Sequence, residues 1–258
     1  MKWLLAALAV IWLAAAGWFT VSQRDLFYPF DTADYPASVA GPGVRIRDLD
    51  GLQVWFRPPD RDLPVILYFI GNTGNPARQA PLLQEYTVNG FGLVTLRYRQ
   101  ESASEEQLIS DALHVARSLE EIMGAPVPPE RLVIHGVSLG SGIATAVALE
   151  VEAAGLIVET PFTRLCDVPS AHVPGLPYCL LAPRNRFATV ERIGALDMPL
   201  LVQHGTADSL VPYHMGEAVF AAAPQPKRFL TYEDGDHNDL RLYGAGIDAR
   251  AFAVEVTH

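Results

Sequence analysis

The chain has 258 residues, half of them hydrophobic, and a formal net charge of −10. That length and apolar fraction suffice for one large domain with a sizeable core. The acidic balance, with its Lys and Arg residues scattered rather than clustered, excludes nucleic acid as a partner, because a phosphate backbone demands a cationic face.

The N-terminus stands apart. After Met1 and Lys2, Trp3–Val21 is an apolar run of about 19 residues, close to the roughly 20 that cross a bilayer as a helix. Trp3, Trp18 and Phe19 lie near its ends, where amphipathic rings favour the headgroup region, and Ser22-Gln23-Arg24-Asp25 closes it. Residues 1–22 are therefore predicted to be a transmembrane anchor. A cleaved signal peptide is the alternative, since Ala14-Ala15-Ala16 offers small residues for cleavage. The apolar run continues past those alanines, which favours the anchor. Lys2 ahead of the span leans the N-terminus toward the cytoplasm, and so places residues 23–258 outside it, in the periplasm or its equivalent.

Behind the anchor, Leu26–Gly43 reads as a connecting segment rich in Pro, Asp and aromatic residues. Val44–Arg47 and Leu52–Phe56 flank Asp50-Gly51, a hairpin turn signal, and are predicted to be antiparallel strands at a sheet edge. Pro64–Ile70, Gly92–Arg97, Arg131–Gly136, Gly155–Glu159, Pro199–Gly205 and Lys227–Tyr232 are short apolar runs of the kind buried on both faces of a parallel sheet. Helices are expected over Pro76–Val88, Ser104–Met123, Ser138–Val151 and Met215–Ala223. The second opens with the capping-box spacing Ser104 to Gln107 and stops at Gly124. An edge hairpin followed by repeated βα units implies an α/β fold, a mostly parallel sheet with helices on both faces. Ligands of such sheets bind at the C-terminal ends of the strands.

Pro161–Gly194 interrupts the alternation and is read as a small cap over that edge. Its Val173, Leu176, Pro177, Tyr178, Leu180, Leu181 and Phe187 either line an acyl pocket or pack the cap onto the sheet. Cys166 and Cys179 both fall in it. They form a disulfide if the domain lies in an oxidising compartment; the slightly favoured alternative is two buried thiols.

The sharpest chemical signal is Gly136-Val137-Ser138-Leu139-Gly140 between an apolar strand and a helix with small residues. Glycines let the backbone crowd at a tight strand-to-helix turn, which holds Ser138 strained with its hydroxyl exposed. A serine hydroxyl attacks a carbonyl only when a base takes its proton and a carboxylate orients the base. Of seven histidines, His114 falls mid-helix, His172 in the cap, His135 and His204 at strand ends, His214 too near the candidate acid, and His258 at the terminus. His237, in the polar turn Gly235-Asp236-His237-Asn238-Asp239 after the last strand, is the candidate base. Asp208, in the loop after Pro199–Gly205, is the candidate acid; Asp234, Asp236 and Asp239 read better as turn formers. The oxyanion of a tetrahedral intermediate needs backbone donors. Leu139 N–H follows the nucleophile, and Asn72, in Gly71-Asn72-Thr73-Gly74-Asn75, is nominated for the second.

The order Ser138, Asp208, His237 is that of α/β-hydrolases. Together with Phe69-Ile70-Gly71-Asn72-Thr73-Gly74-Asn75, Tyr98-Arg99, Glu159-Thr160-Pro161-Phe162-Thr163, Val211-Pro212 and the segment Gln23–Pro29, these motifs make nearly the whole chain resemble the small, N-terminally membrane-anchored α/β-hydrolases. The resemblance implies a serine hydrolase of ester, thioester or amide bonds, with no metal or organic cofactor. A small-molecule or lipid-like acyl ester is the expected substrate. Amidase or peptidase activity, or an anchored binding protein that keeps the fold without chemistry, are the alternatives. Three positions depart from the family pattern: Ile70 stands where His is usual, Arg97 where Asp often precedes Tyr-Arg, and Gln100 where Gly follows it. Ile70 bears on how the oxyanion loop is held, Arg97 and Gln100 imply a different loop around Tyr98, and none of the three touches the triad.

Overall fold

A computed structural model describes all residues, 1–258. Helix α1 runs over Lys2–Phe27 and is long and apolar enough to cross a membrane. The body is an eight-stranded sheet: β1 (Arg45–Leu49), β2 (Leu52–Arg57), β3 (Val65–Phe69), β4 (Gly92–Leu96), β5 (Leu132–Val137), β6 (Gly155–Glu159), β7 (Leu200–Gly205) and β8 (Lys227–Tyr232), in the order β1-β2-β4-β3-β5-β6-β7-β8. β1 and β2 form the expected antiparallel hairpin, and β2 pairs antiparallel with β4. Asp50 and Gly51 both have positive φ, 50° and 82°, the mirror-image turn whose twist matches that of paired strands. The remaining neighbours are parallel. β3, β4, β5, β6 and β7 are buried at every position, as their unbroken apolar runs require.

Helices cover both faces. On one, α2 (Ala80–Thr87) packs against the C-terminal helix; on the other, α3 (Glu105–Arg117) and α5 (Leu139–Ala148) pack together. Ser104 Oγ accepts from Gln107 N–H at 3.2 Å, capping α3 as its spacing predicts. The helix expected to run unbroken to Met123 is interrupted at Ser118, whose φ of −101° and ψ of 14° leave the helical range. Five further residues, Leu119–Met123, form α4, which ends on Gly124 at φ 74°.

Residues 161–194 carry three short helices, α6 (Val168–His172), α7 (Tyr178–Leu181) and α8 (Thr189–Ile193). Cys166 and Cys179 are joined here by a disulfide, Cα–Cα 4.9 Å, so the favoured expectation of two free thiols is overturned. The first turns after β6 and α7 fold back on each other and bring the two side chains together. α9 (Tyr213–Ala222) follows β7, and α10 (Ala245–Val256) closes the chain on α2. The sequence reading did not anticipate α10. One continuous hydrophobic core runs from Phe19 of α1 to Phe252 of α10.

Candidate active site

Three C-terminal strand ends place the predicted residues. β5 runs straight into α5 through Ser138, which sits at φ 52° and ψ −119°, a region that a side chain with Cβ rarely occupies. The crowding that forces this turn is measurable at its glycines. A Cβ on Gly136 would lie 2.2 Å from Gly140 O, and one on Gly140 would lie 2.0 Å from Phe69 O. Only residues without a side chain let β5, α5 and the end of β3 meet so closely.

The loop after β8 brings His237 against this elbow, its Nε2 2.9 Å from Ser138 Oγ. On the far side of the ring, Nδ1 lies 2.9 Å from Asp208 Oδ2, in the loop after β7. Both His237 and Asp208 are buried. Asp208 Oδ1 accepts the N–H groups of Leu210 at 2.9 Å and Val211 at 2.7 Å. Burial alone would raise the Asp208 pKa. Hydrogen bonds from His204 and His237, the charge of His237 and the Val211 N–H outweigh burial and hold the carboxyl well below the usual range.

His204, set aside in the sequence because it ends a strand, lies beside Asp208. Its ring is fully buried, and Nε2 lies 2.9 Å from Val211 O and 3.2 Å from Asp208 Oδ2. It therefore lies against the same carboxylate oxygen, Oδ2, that faces His237 Nδ1. Its position four residues before Asp208, at the end of an apolar strand, was the only signal in the sequence. Asp236 and Asp239 are turn formers as expected. Asp239 Oδ1 accepts Asp236 N–H at 2.7 Å, and Asp236 Oδ1 accepts from Ser209 N–H and Oγ, tying the His237 loop to the Asp208 loop.

Leu139 opens α5, so its N–H has no acceptor within the helix. The Asn72 N–H makes no hydrogen bond within the protein, and Asn72 lines the same cavities as Ser138. A Cβ on the adjacent Gly71 would lie 3.7 Å from Ser138 Cβ. The loop is held without the histidine that Ile70 replaces. Gly71 N–H donates to Gln79 Oε1 at 3.0 Å, and Tyr98 OH to Ile70 O at 2.8 Å. The other two departures are accommodated as well: Arg97 pairs with Asp34 at 2.7 Å, and Gln100 O accepts from Arg24 of α1.

Two cavities meet at Ser138. One, of about 420 Å³, is lined mainly by polar residues, among them Thr73, Arg78, Gln79, Asn238 and Arg241. The other, of about 230 Å³, is mostly apolar and is bordered by Phe162, Leu165, Val168, Leu210 and Val211 together with residues of α1. None of the seven cap residues expected to line an acyl pocket borders it. Phe187 and Tyr178 are buried as packing, Phe187 against Gly142 of α5. Val173 and Leu180 are 61% and 79% exposed. The first part of the cap, Phe162 to Val168, lines the cavity instead. A larger groove of about 890 Å³ runs along α3 between Ser104 and Arg117, away from Ser138.

Glu159, at the end of β6, borders the polar cavity and is pushed up to about 7 by burial. His135 Nε2 is 3.9 Å away, and burial pushes that ring down to about 3, so it is neutral. Below pH ~4.5 Glu159 is protonated in both folded and unfolded chains. As pH rises the unfolded chain releases this proton first, so folding stability falls until the folded group also ionises near 7. The loss approaches about 3 kcal/mol. Glu159→Gln is expected to abolish it. Denaturant titrations of the full chain in detergent at about pH 5 and about pH 8 should then show the variant gaining on the wild type by up to that amount. An unchanged difference between the two pH values contradicts a buried, proton-holding Glu159.

No protein-family model matches the chain. The uncharacterized protein Rv2307c of Mycobacterium tuberculosis is 30% identical over 256 residues, spanning 92% of this chain and 89% of that protein. The lysophosphatidylserine lipase ABHD12 of Danio rerio is 31% identical over 188 residues, 64% of this chain and 48% of the lipase, so the chain matches about half of that longer protein. Among solved structures, TT1662 of Thermus thermophilus superimposes with a TM-score of 0.64 at 23% identity, over 83% of this chain and 98% of that one. The esterase Est2 of Thermogutta terrifontis, solved with butyrate bound, does so with a TM-score of 0.64 at 20% identity, over 83% and 95%. The sheet, its elbow and these relatives define an α/β-hydrolase fold. The chain belongs to the α/β-hydrolase family, and within it to the small members that carry an apolar N-terminal helix.

Proposed function

We propose that the protein is a serine hydrolase that cleaves the carboxylic ester of an amphiphilic acyl substrate. The observation that carries this reading is the continuous relay Ser138 Oγ, His237 Nε2, His237 Nδ1, Asp208 Oδ2, with 2.9 Å at both hydrogen bonds. Ser138 Oγ attacks the carbonyl carbon while its proton passes to His237 Nε2, and Asp208 stabilises the resulting imidazolium. The oxyanion is met by the N–H groups of Leu139 and Asn72. Collapse breaks the bond to the alcohol, which leaves with the proton from His237. Water then repeats the sequence on the acyl-enzyme and releases the acid.

The two cavities at Ser138 sort the halves of the substrate. The apolar cavity suits an acyl chain, and the polar one, with Arg78 and Arg241 at its border, suits a polar alcohol. A lysophospholipid, the substrate class in the name of the zebrafish relative, has this two-part form. The apolar cavity, of about 230 Å³, opens at Ser138 and offers an apolar wall to the acyl chain of such a substrate.

α1 fits an anchor. Its hydrogen bonding to the body starts at Trp12, so only Lys2–Ile11, about 15 Å of helix, stands clear of it. That is half of a ~30 Å hydrocarbon core. Crossing therefore beds the cap rim bearing exposed Val173 and Leu180 into lipid, beside His172 at the apolar cavity. The disulfide fits a domain on the oxidising side of the membrane.

A panel of p-nitrophenyl esters from acetyl to dodecanoyl tests the substrate class on the full chain in detergent. kcat/KM is expected to rise toward octanoyl at about 0.8 kcal/mol per methylene buried. A preference for acetyl over hexanoyl and octanoyl contradicts a lipid-like substrate.

A further inference from the structure

Three residues of the membrane helix reach into the candidate active site. Phe19, Leu26 and Phe27 border the apolar cavity, opposite Phe162, Leu165 and Val211 of the body. Phe19 and Phe27 are buried, at 3% and 7%, although α1 is largely exposed elsewhere. A helix that served only to anchor the domain would need no such burial at its exit end.

The placement is fixed by specific contacts. Trp12 Nε1–H donates to Gly175 O at 2.7 Å, and Gln23 Nε2–H to Leu181 O at 3.1 Å. Asn185 Nδ2–H donates back to Gln23 Oε1 at 3.2 Å, while its Oδ1 accepts from Tyr28 OH at 2.7 Å. The Phe19 ring meets Tyr178 edge-on at 4.8 Å between centroids, and Phe27 at 6.0 Å. Trp12, Phe19 and Gln23 are spaced at whole turns along one face of α1, so the same face carries the polar and the aromatic contacts and turns these rings toward the body. The segment between is continuous helix, so the wall and the apolar span are one rigid element.

We infer that the last turns of α1 form one wall of the acyl site, with Phe19, Leu26 and Phe27 setting the length of acyl chain accepted. This rests on the hydrolase reading above. Its consequence is that the acyl site is complete only when the helix is docked, and an acyl chain moving out of the bilayer along α1 arrives directly at Ser138.

Two substitutions of opposite size test it in the full chain in detergent micelles. Phe19→Ala removes bulk from the wall and is expected to move the preferred p-nitrophenyl ester toward longer chains. Leu26→Trp adds bulk at a half-exposed position and is expected to move it toward shorter ones. The dodecanoyl-to-octanoyl ratio of kcat/KM should rise in the first and the octanoyl-to-butyryl ratio should fall in the second. Each change scales at about fourfold per methylene admitted or excluded. Ratios within one protein cancel differences in the amount of active enzyme, and comparison with wild type cancels partition of each ester into the micelle.

Labelling by a fluorophosphonate, which needs an assembled Ser138 and His237, checks that each variant is folded. Should Phe19→Ala fail to label, Leu26→Trp decides alone. Opposite shifts support the wall. Labelled variants whose chain-length profiles coincide with that of the wild type overturn it and leave the hydrolase reading standing. A wild type that neither labels nor hydrolyses any ester overturns that reading, and this inference with it.

Discussion

Ser138→Ala is expected to abolish turnover while leaving the fold intact, with a loss approaching the ~10⁶-fold typical of removing a serine nucleophile from its triad. The fold should survive because Ser138 Oγ has one hydrogen-bond partner, His237 Nε2. The backbone bond from Ser138 N–H to Glu159 O at 2.9 Å is untouched. Alanine has the same Cβ, so the strain at φ 52° is no greater than in the wild type. Circular dichroism and ester turnover on the purified variant check both halves. A folded variant that keeps more than a few per cent of activity contradicts the assignment of Ser138.

Asp208→Asn should cost about 10⁴-fold in kcat/KM, and the hydrogen bonds around the carboxylate explain why. Oδ1 accepts two backbone N–H groups, from Leu210 and Val211. An amide in this place must keep its oxygen there, because its NH₂ would otherwise face two donors. The NH₂ then takes the site of Oδ2 and donates to His237 Nδ1. That forces the ring proton onto Nε2, where it points at Ser138 Oγ and cannot accept the serine proton. His204 does not rescue the tautomer, since its Nε2 retains Val211 O as an acceptor at 2.9 Å. Steady-state kinetics check the size of the loss. A variant within about tenfold of wild type contradicts the role of Asp208 as the orienting carboxylate.

The sheet and the elbow were legible because their physical demands leave marks in the sequence. Strands buried on both faces must be unbroken apolar runs, as β3 and β6 are, and the elbow must have glycine at 136 and 140, where a Cβ would lie within about 2.2 Å of backbone oxygen. Asp50-Gly51 and Ser104 with Gln107 likewise follow from local backbone chemistry.

What stayed hidden depends on distant partners. α10 buries Ala245, Ala249, Phe252 and Ala253, a helical spacing built mostly of alanine, which gives little hydrophobic contrast. The residues of the cap that line the apolar cavity depend on how α6 and α7 fold back, and the order of Leu and Val along the chain does not encode that. The bridge between Cys166 and Cys179 depends on the same fold-back. Phe19, Leu26 and Phe27 were read as the end of an anchor and the start of a connector, because membrane burial and pocket burial call for the same side chains.

The central claim is that Ser138 is an activated nucleophile. Incubation of the full chain in detergent with a fluorophosphonate, followed by digestion and mass mapping, tests it most directly. The peptide containing Ser138 is expected to carry the phosphonyl adduct in wild type, and labelling is expected to disappear in Ser138→Ala. A folded wild type that remains unlabelled, or that is labelled at another residue, contradicts the account.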